Sequence, residues 1–388
     1  MRKPVVLGVE RVNNPHLVPL LLELRRRDDL DFTGCILQSL PPWRVELGWP
    51  ELPDDTGLLA PWRRPDDARR YAELARTADV AIWPGPNFPA SVRLIGGRNW
   101  RRQLNVLWAE RFIGRRERSW LATLAVKGVV RLLDSPYTHL MTLGDGAAED
   151  YRAYGARRWP TWQFGYSVAP VTEEPRPRPL APGVLRLMFL GALRSKKGVD
   201  VLLRALGAPA LASGGWQLTL AGDGKERAAL TSLAESLGIA RRVTWSGVVP
   251  HERVPDLYRT HDVLVLPSRY EGWGAVMNEA MEHGLPVVAS DGAGGARLLV
   301  APEESGFIVP AGDDVALSAC LARLVREPEL VARLAAGGRR RIEQFRPAAA
   351  AARVAALLHG LTGCGPMPQY ADGLCAALPP AATPGGSH

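Results

Sequence analysis

The stretch DVLVLPSRYEGWGAVMNEAMEHGLPVVAS, Asp262 to Ser290, decides the reading of this 388-residue chain. It opens on an apolar run ending at Leu266, passes through a loop from Pro267 to Trp273, enters a helical stretch near Gly274 and closes on a second apolar run, PVVAS. Strand, glycine-bearing loop, helix and strand make one unit of a parallel sheet, because parallel neighbours need a crossover between them. Ligands bind such sheets outside the carboxyl ends of the strands, so the loop that carries Glu271 faces a crevice. Glycines at 272 and 274 allow close backbone approach, and the amides of Gly274, Ala275 and Val276 open the helix, where N–H groups without an intrahelical partner attract an anion. Glu279, five residues past Gly274, is more than one turn along yet still near the loop mouth. Its carboxylate can accept two hydrogen bonds from a ribose diol. The surface alternative, two unrelated glutamates eight positions apart, loses weight in this strand, loop and helix setting.

The same alternation extends on both sides. LRLMFL, QLTLAG, VTWSG, PVVAS and GFIVP are strand candidates, with helices expected from Val199, from Glu226, over Val254 to Tyr258 and over Gly274 to His283. Earlier in the chain VVLGVE, DFTGCIL, VAIWPG, NVLWAE and THLMTLG repeat the grammar less clearly, and Gln38 to Pro65 reads as an irregular insertion. Five prolines between Pro170 and Gly183 forbid helix and central strand. The expected organisation is therefore a Rossmann-like domain over 1–169, a linker over 170–184, a second Rossmann-like domain over 185–345, a helix over 346–360 that returns to the first domain, and a loose tail over 361–388.

In FLGALRSKKG, which follows the strand LRLMFL, Lys197 and Arg194 are the cations placed to face a diphosphate whose charge grows as a glycosidic C–O bond breaks. A solvated basic face is the alternative. Asn13 and Asn14 in the loop after the first strand, and Glu110 at the end of NVLWAE, are candidates at the strand ends of the first domain, with a structural ion pair between Glu110 and a neighbouring arginine as the alternative. Asp29 and Asp31 form a DxD pair, but it precedes a strand rather than ending one, and it is rejected as a metal site.

The segment from Asp262 to Ser290 resembles the signature of the family 4 retaining glycosyltransferases (glycosyl transferases group 1), whose fold is the GT-B pair of doubly wound α/β Rossmann-like domains facing a central cleft. FLGALRSKKG, LAGDGKE, VTWSGVV and ASDGAGG follow the family's landmarks in order over about 125 residues. The resemblance implies that Glu271 lies against the donor sugar and Glu279 holds the ribose. It further implies that Gly191 and the amides of Gly274 to Val276 meet the diphosphate or sugar, and that Val248 closes over the base. The family's arginine after the first glycine is replaced by Ala192, so Arg194 or Lys196 supplies that charge. The histidine that many relatives carry on the acceptor side is absent, and Glu110 is the candidate substitute.

Composition sets outer bounds. A hydrophobic share of 46% with 23% charged residues is ordinary for a globular chain. The four cysteines show no zinc or redox spacing, and no run approaches the length of a spanning helix. A cytoplasmic enzyme is expected, resting in part on the inner face of a membrane, because Arg111 to Leu133 mixes cations with apolar residues. Of the net charge of +8, +6 lies before residue 170, as do nine of the twelve tryptophans, which suits a saccharide or glycolipid acceptor as much as an ordinary core. The activity so implied is metal-independent, cofactor-free transfer of a sugar, with retention, from a nucleoside diphosphate sugar. A small natural-product acceptor, a phosphorylase or epimerase reaction and a silent sugar-nucleotide-binding module stay open. No G-x-G-x-x-G follows the first strand, which disfavours a dinucleotide oxidoreductase, and nucleic acid is not expected as a partner.

Overall fold

A computed structural model describes residues 2–379 apart from 47–48, 50, 87–88, 112–119, 172–182 and 213. Most of the expected linker, part of the basic run after Glu110 and the last residues of the tail lie outside these described residues. The chain divides into two compact units, one of Met1–Val45, Pro50–Ser167 and Gln344–His388, the other of Glu46–Trp49 and Val168–Glu343.

The first unit is built on β1 (Val5–Glu10), β2 (Asp31–Ile36), β3 (Val80–Trp83), β4 (Leu104–Glu110), β5 (Thr138–Leu143) and β6 (Thr161–Phe164). They pair in parallel in the order β2-β1-β3-β4-β5-β6. β3 and β5 are buried along their whole length, as strands covered by helices on both faces must be. The helix expected over 346–360 spans Pro347–Thr362 and packs on the helix Val18–Arg25 of the same unit. Across that contact His359 Nε2 lies 3.1 Å from Asp29 Oδ2, and Arg27 grips both oxygens of Asp29 at 2.8 and 2.7 Å. The DxD aspartate thus serves as a structural anchor.

Two expectations need correction here. β6 escaped the sequence reading because TWQF is four residues long and carries Gln163 in place of an apolar run. Residues 361–388 are also not uniformly loose. Cys375 N donates to Gln163 O and Gln163 N to Ala376 O, both at 2.8 Å, Leu378 N donates to Thr161 O at 2.9 Å, and Leu374 and Cys375 are fully buried. The physical reason is that β6 is an edge strand, whose unpaired amides and carbonyls recruit another extended segment.

The second unit holds β7 (Leu185–Leu190), β8 (Trp216–Ala221), β9 (Val243–Gly247), β10 (Val263–Leu266), β11 (Val287–Ser290) and β12 (Gly306–Val309). The order is β12-β11-β10-β7-β8-β9, again all parallel. β10 and β11 are buried throughout. Each Val or Leu side chain taken from water there contributes about 1.5–3 kcal/mol. From β7 the chain winds outward one way through β8 and β9, then returns to β10 and winds the other way. The loops leaving β7 and β10 therefore lie at the switch point on the carboxyl edge, where such sheets bind ligands.

Candidate active site

The two loops at this switch point are tied to each other. Tyr270 N donates to Lys196 O at 3.1 Å, and Arg269 donates to Ser195 O at 2.9 Å and to both oxygens of Asp200 at 2.6 and 2.7 Å. At Gly198, where φ is +65°, an added Cβ would lie 2.0 Å from the carbonyl oxygen of Pro267, so only glycine lets the backbones approach this closely. The loop after β11 braces the other flank. Glu271 N donates to Gly292 O at 2.9 Å, and Gly294 N donates to Glu271 O at 3.1 Å. The buried Trp273 fixes the turn beneath, its Nε1 donating to Asn278 Oδ1 at 2.7 Å.

This bracing brings together side chains from distant parts of the chain. Lys197 Nζ donates to Glu271 Oε2, and a Cβ placed on Gly191 would be 3.8 Å from the same Nζ. Glycine 191, Lys197 and Glu271 therefore share one spot at the carboxyl ends of β7 and β10. Lys197 was expected beside a diphosphate; its ammonium pairs with Glu271, both side chains being largely shielded from solvent. Arg194 and Lys196 stand exposed on the same loop.

The first turn of the next helix begins at Gly274, whose carbonyl accepts from Met277 N at 2.9 Å, and a Cβ at Gly274 would lie 3.6 Å from Glu271 Cγ. Glu271 thus lies against the turn formed by Gly274, Ala275 and Val276. Glu279 follows in the helix Val276–Glu282, and its Oε2 accepts a hydrogen bond of 2.7 Å from the Tyr258 hydroxyl. Burial disfavours the charged carboxylate and pushes its pKa up to about 7, the phenol bond pulling the other way. Val248 follows β9 after Gly247 and is exposed.

The first unit has a polar group of its own at its carboxyl edge. Glu110, the last residue of β4, accepts 2.6 Å from the Tyr166 hydroxyl, while the neighbouring Arg111 turns to Asp150 at 3.4 Å. Asn13 is buried, and Asn14 shapes the entry to the helix Val18–Arg25, its side chain accepting from His16 N at 3.0 Å and its carbonyl from Val18 N at 2.9 Å. Glu10, the last residue of β1, was missed by the sequence reading although the strand-end rule points to it. Burial raises its pKa to about 7, the Arg11 amide and the Arg44 charge oppose that shift, and Glu110 adds to it. Tyr258 was missed too, since an aromatic side chain on a helix reads as core.

Residues 171–341 match the family model described as Glycosyl transferases group 1. The alpha-D-kanosaminyltransferase of Streptomyces kanamyceticus is 32% identical over 149 residues, 38% of this chain and 38% of that protein. The D-inositol 3-phosphate glycosyltransferase of Rhodococcus erythropolis is 36% identical over 173 residues, 43% of this chain and 39% of that protein. The chain thus spans about two fifths of the length of the curated relatives it matches. Among solved structures, Anabaena HepE in complex with UDP superposes with a TM-score of 0.66 at 17% identity, over 92% of this chain and 99% of that one. The lipopolysaccharide outer core galactosyltransferase WaaB superposes with a TM-score of 0.64 at 18% identity, over 93% and 99%. At such identities the superpositions establish the fold. Residues 171–341 thus resemble the glycosyl transferases group 1 family, and the two parallel six-stranded sheets are those of the GT-B fold.

Proposed function

We propose that this protein transfers a sugar from a nucleoside diphosphate sugar to a hydroxyl of a lipid-linked or cell-surface saccharide, with retention at the anomeric carbon and without a metal ion. The observation that carries the reading is the juxtaposition of Lys197 and Glu271 over Gly191 at the switch point of the second sheet. A donor diphosphate lying there meets the Lys197 ammonium, the amides of Gly274 to Val276 and the Arg194 or Lys196 charge, so the chain's own cations supply the neutralisation that a metal supplies elsewhere. Glu271 then faces the sugar hydroxyls and Glu279 the ribose. The bond between the anomeric carbon and the β-phosphate oxygen breaks, the bond to the acceptor oxygen forms on the same face, and the leaving phosphate takes the acceptor proton. The reading of the donor is supported by the similarity to HepE, whose structures hold UDP and UDP-glucose.

The test has two stages. Melting the protein with UDP-, GDP- and deoxythymidine diphosphate sugars identifies the donor, because a ligand at 100 times its Kd stabilises by about 2.7 kcal/mol. Transfer is then followed by NMR in the presence of a chelator. The expected product keeps the donor's anomeric configuration at an undiminished rate. An inverted product, or a rate abolished by the chelator, overturns the mechanism.

The acceptor reading rests on the helix Trp120–Leu132 of the first unit. Trp120, Leu121, Leu124 and Leu132 are exposed there, alongside Arg131. No helix among the described residues is long and apolar enough to cross a membrane. A half-apolar, basic helix surface instead suits the headgroup region of an anionic bilayer. The protein is expected to sediment with vesicles containing anionic lipid and to lose that binding when Leu121 and Leu124 are both changed to serine. No recovery with the anionic vesicles sinks the membrane contact, and equal recovery with purely zwitterionic vesicles removes the role of the basic charge.

A further inference from the structure

Glu279 is held by a residue outside the motif that announces it. The helix Val254–Thr260 precedes β10 and carries Tyr258, whose ring is almost wholly buried and stacks on His283 with centroids 5.0 Å apart and planes 19° from parallel. His283 caps the far end of the same short helix that bears Glu279. The phenol is therefore clamped by its ring, and its hydroxyl reaches Glu279 Oε2 at 2.7 Å.

We propose that Tyr258 is a positioning residue of the donor site, fixing the Glu279 carboxylate so that it reads both hydroxyls of a ribose and thereby prefers ribonucleoside over 2′-deoxyribonucleoside diphosphates. This rests on the reading of Glu279 as the ribose acceptor. A glutamate side chain has three rotatable bonds, and two vicinal hydroxyls are met only when both carboxylate oxygens are held in one orientation. Each oxygen has two lone pairs, so the bond from Tyr258 leaves Oε2 able to accept a second donor. Packing alone would be served by phenylalanine. A hydroxyl buried beside a carboxylate is costly unless it donates to it, and this one does. The same bond favours the charged, acceptor-only form against the burial that disfavours it.

The experiment uses the full chain and the nucleoside diphosphate whose base binds best, paired with its 2′-deoxy counterpart, by titration calorimetry. Wild type is expected to prefer the ribo form about tenfold, the size of one well-made hydrogen bond to a charged group. Tyr258→Phe keeps the ring and its stacking on His283, and is expected to lose at least half of that preference on a logarithmic scale while binding the deoxy form as wild type does. Glu279→Gln is expected to lose the preference with or without the tyrosine change, so the double variant adds nothing further. If Tyr258→Phe keeps the full preference while Glu279→Gln loses it, the positioning role is overturned and the ribose reading stands. If Glu279→Gln keeps the preference, or wild type shows none, the ribose reading itself fails and the inference falls with it.

Discussion

Replacing Lys197 by alanine is expected to lower the rate of transfer by about 10²–10³, with the chain still folded, because one pre-placed charge facing a developing oxyanion typically contributes that much. The ammonium rests on Glu271, close to Gly191. Its removal leaves the leaving group without its nearest cation and strands a shielded carboxylate. The loss is expected in kcat more than in donor KM, since the charge on the phosphate is greatest as the glycosidic bond breaks. Lys197→Arg should recover part of the rate, as the charge returns in a bulkier, planar form. Steady-state kinetics with circular dichroism of each variant checks this. A Lys197→Ala enzyme within threefold of wild type would remove the lysine from the mechanism.

A second large effect concerns the frame that holds the pair. Gly198→Ala forces φ near +65° on an L-residue, at about 1–2 kcal/mol, and drives a methyl group against the Pro267 carbonyl oxygen, 2.0 Å from the ideal Cβ position. Backbone meets backbone there, so no side chain can swing aside. A total loss of about 3 kcal/mol is expected, which lowers the melting temperature by about 6–12 °C for a unit of this size. Gly238→Ala is the matched control, with φ at +69° and nothing within 4 Å of the added Cβ. It bears the conformational cost alone and is expected to fall about 1–2 kcal/mol. Equal losses at the two positions in differential scanning calorimetry would show that the β7 and β10 loops are not locked as described.

The parts of this protein that were legible in sequence share a property. β10, its loop, the helix after it and β11 are contiguous, so the apolar runs, the glycines and the two glutamates could be placed without knowing how the chain folds back. The eleven strands drawn from apolar runs fall within a residue or two of their observed bounds for the same reason, long buried parallel strands being nearly continuous in Val, Ile and Leu. What stayed hidden depends on pairing across the chain. Lys197 and Glu271 are 74 positions apart, Glu110 and Tyr166 are 56 apart, and Tyr258 reaches Glu279 from a different helix. No local spacing encodes such contacts. The edge strand β6 was missed because its partner past residue 374 gives no signal until the two are side by side.

The first unit is interrupted in sequence by the second, since Ser167 and Gln344 belong to it while Val168–Glu343 do not. Synthesis runs from the amino end, so every residue of the second unit has left the ribosome before the segment that covers β6 and the helix Val18–Arg25 can emerge. For the whole of that interval the nascent first unit carries a bare sheet edge and an uncovered helix flank, and the second unit is the one able to mature first.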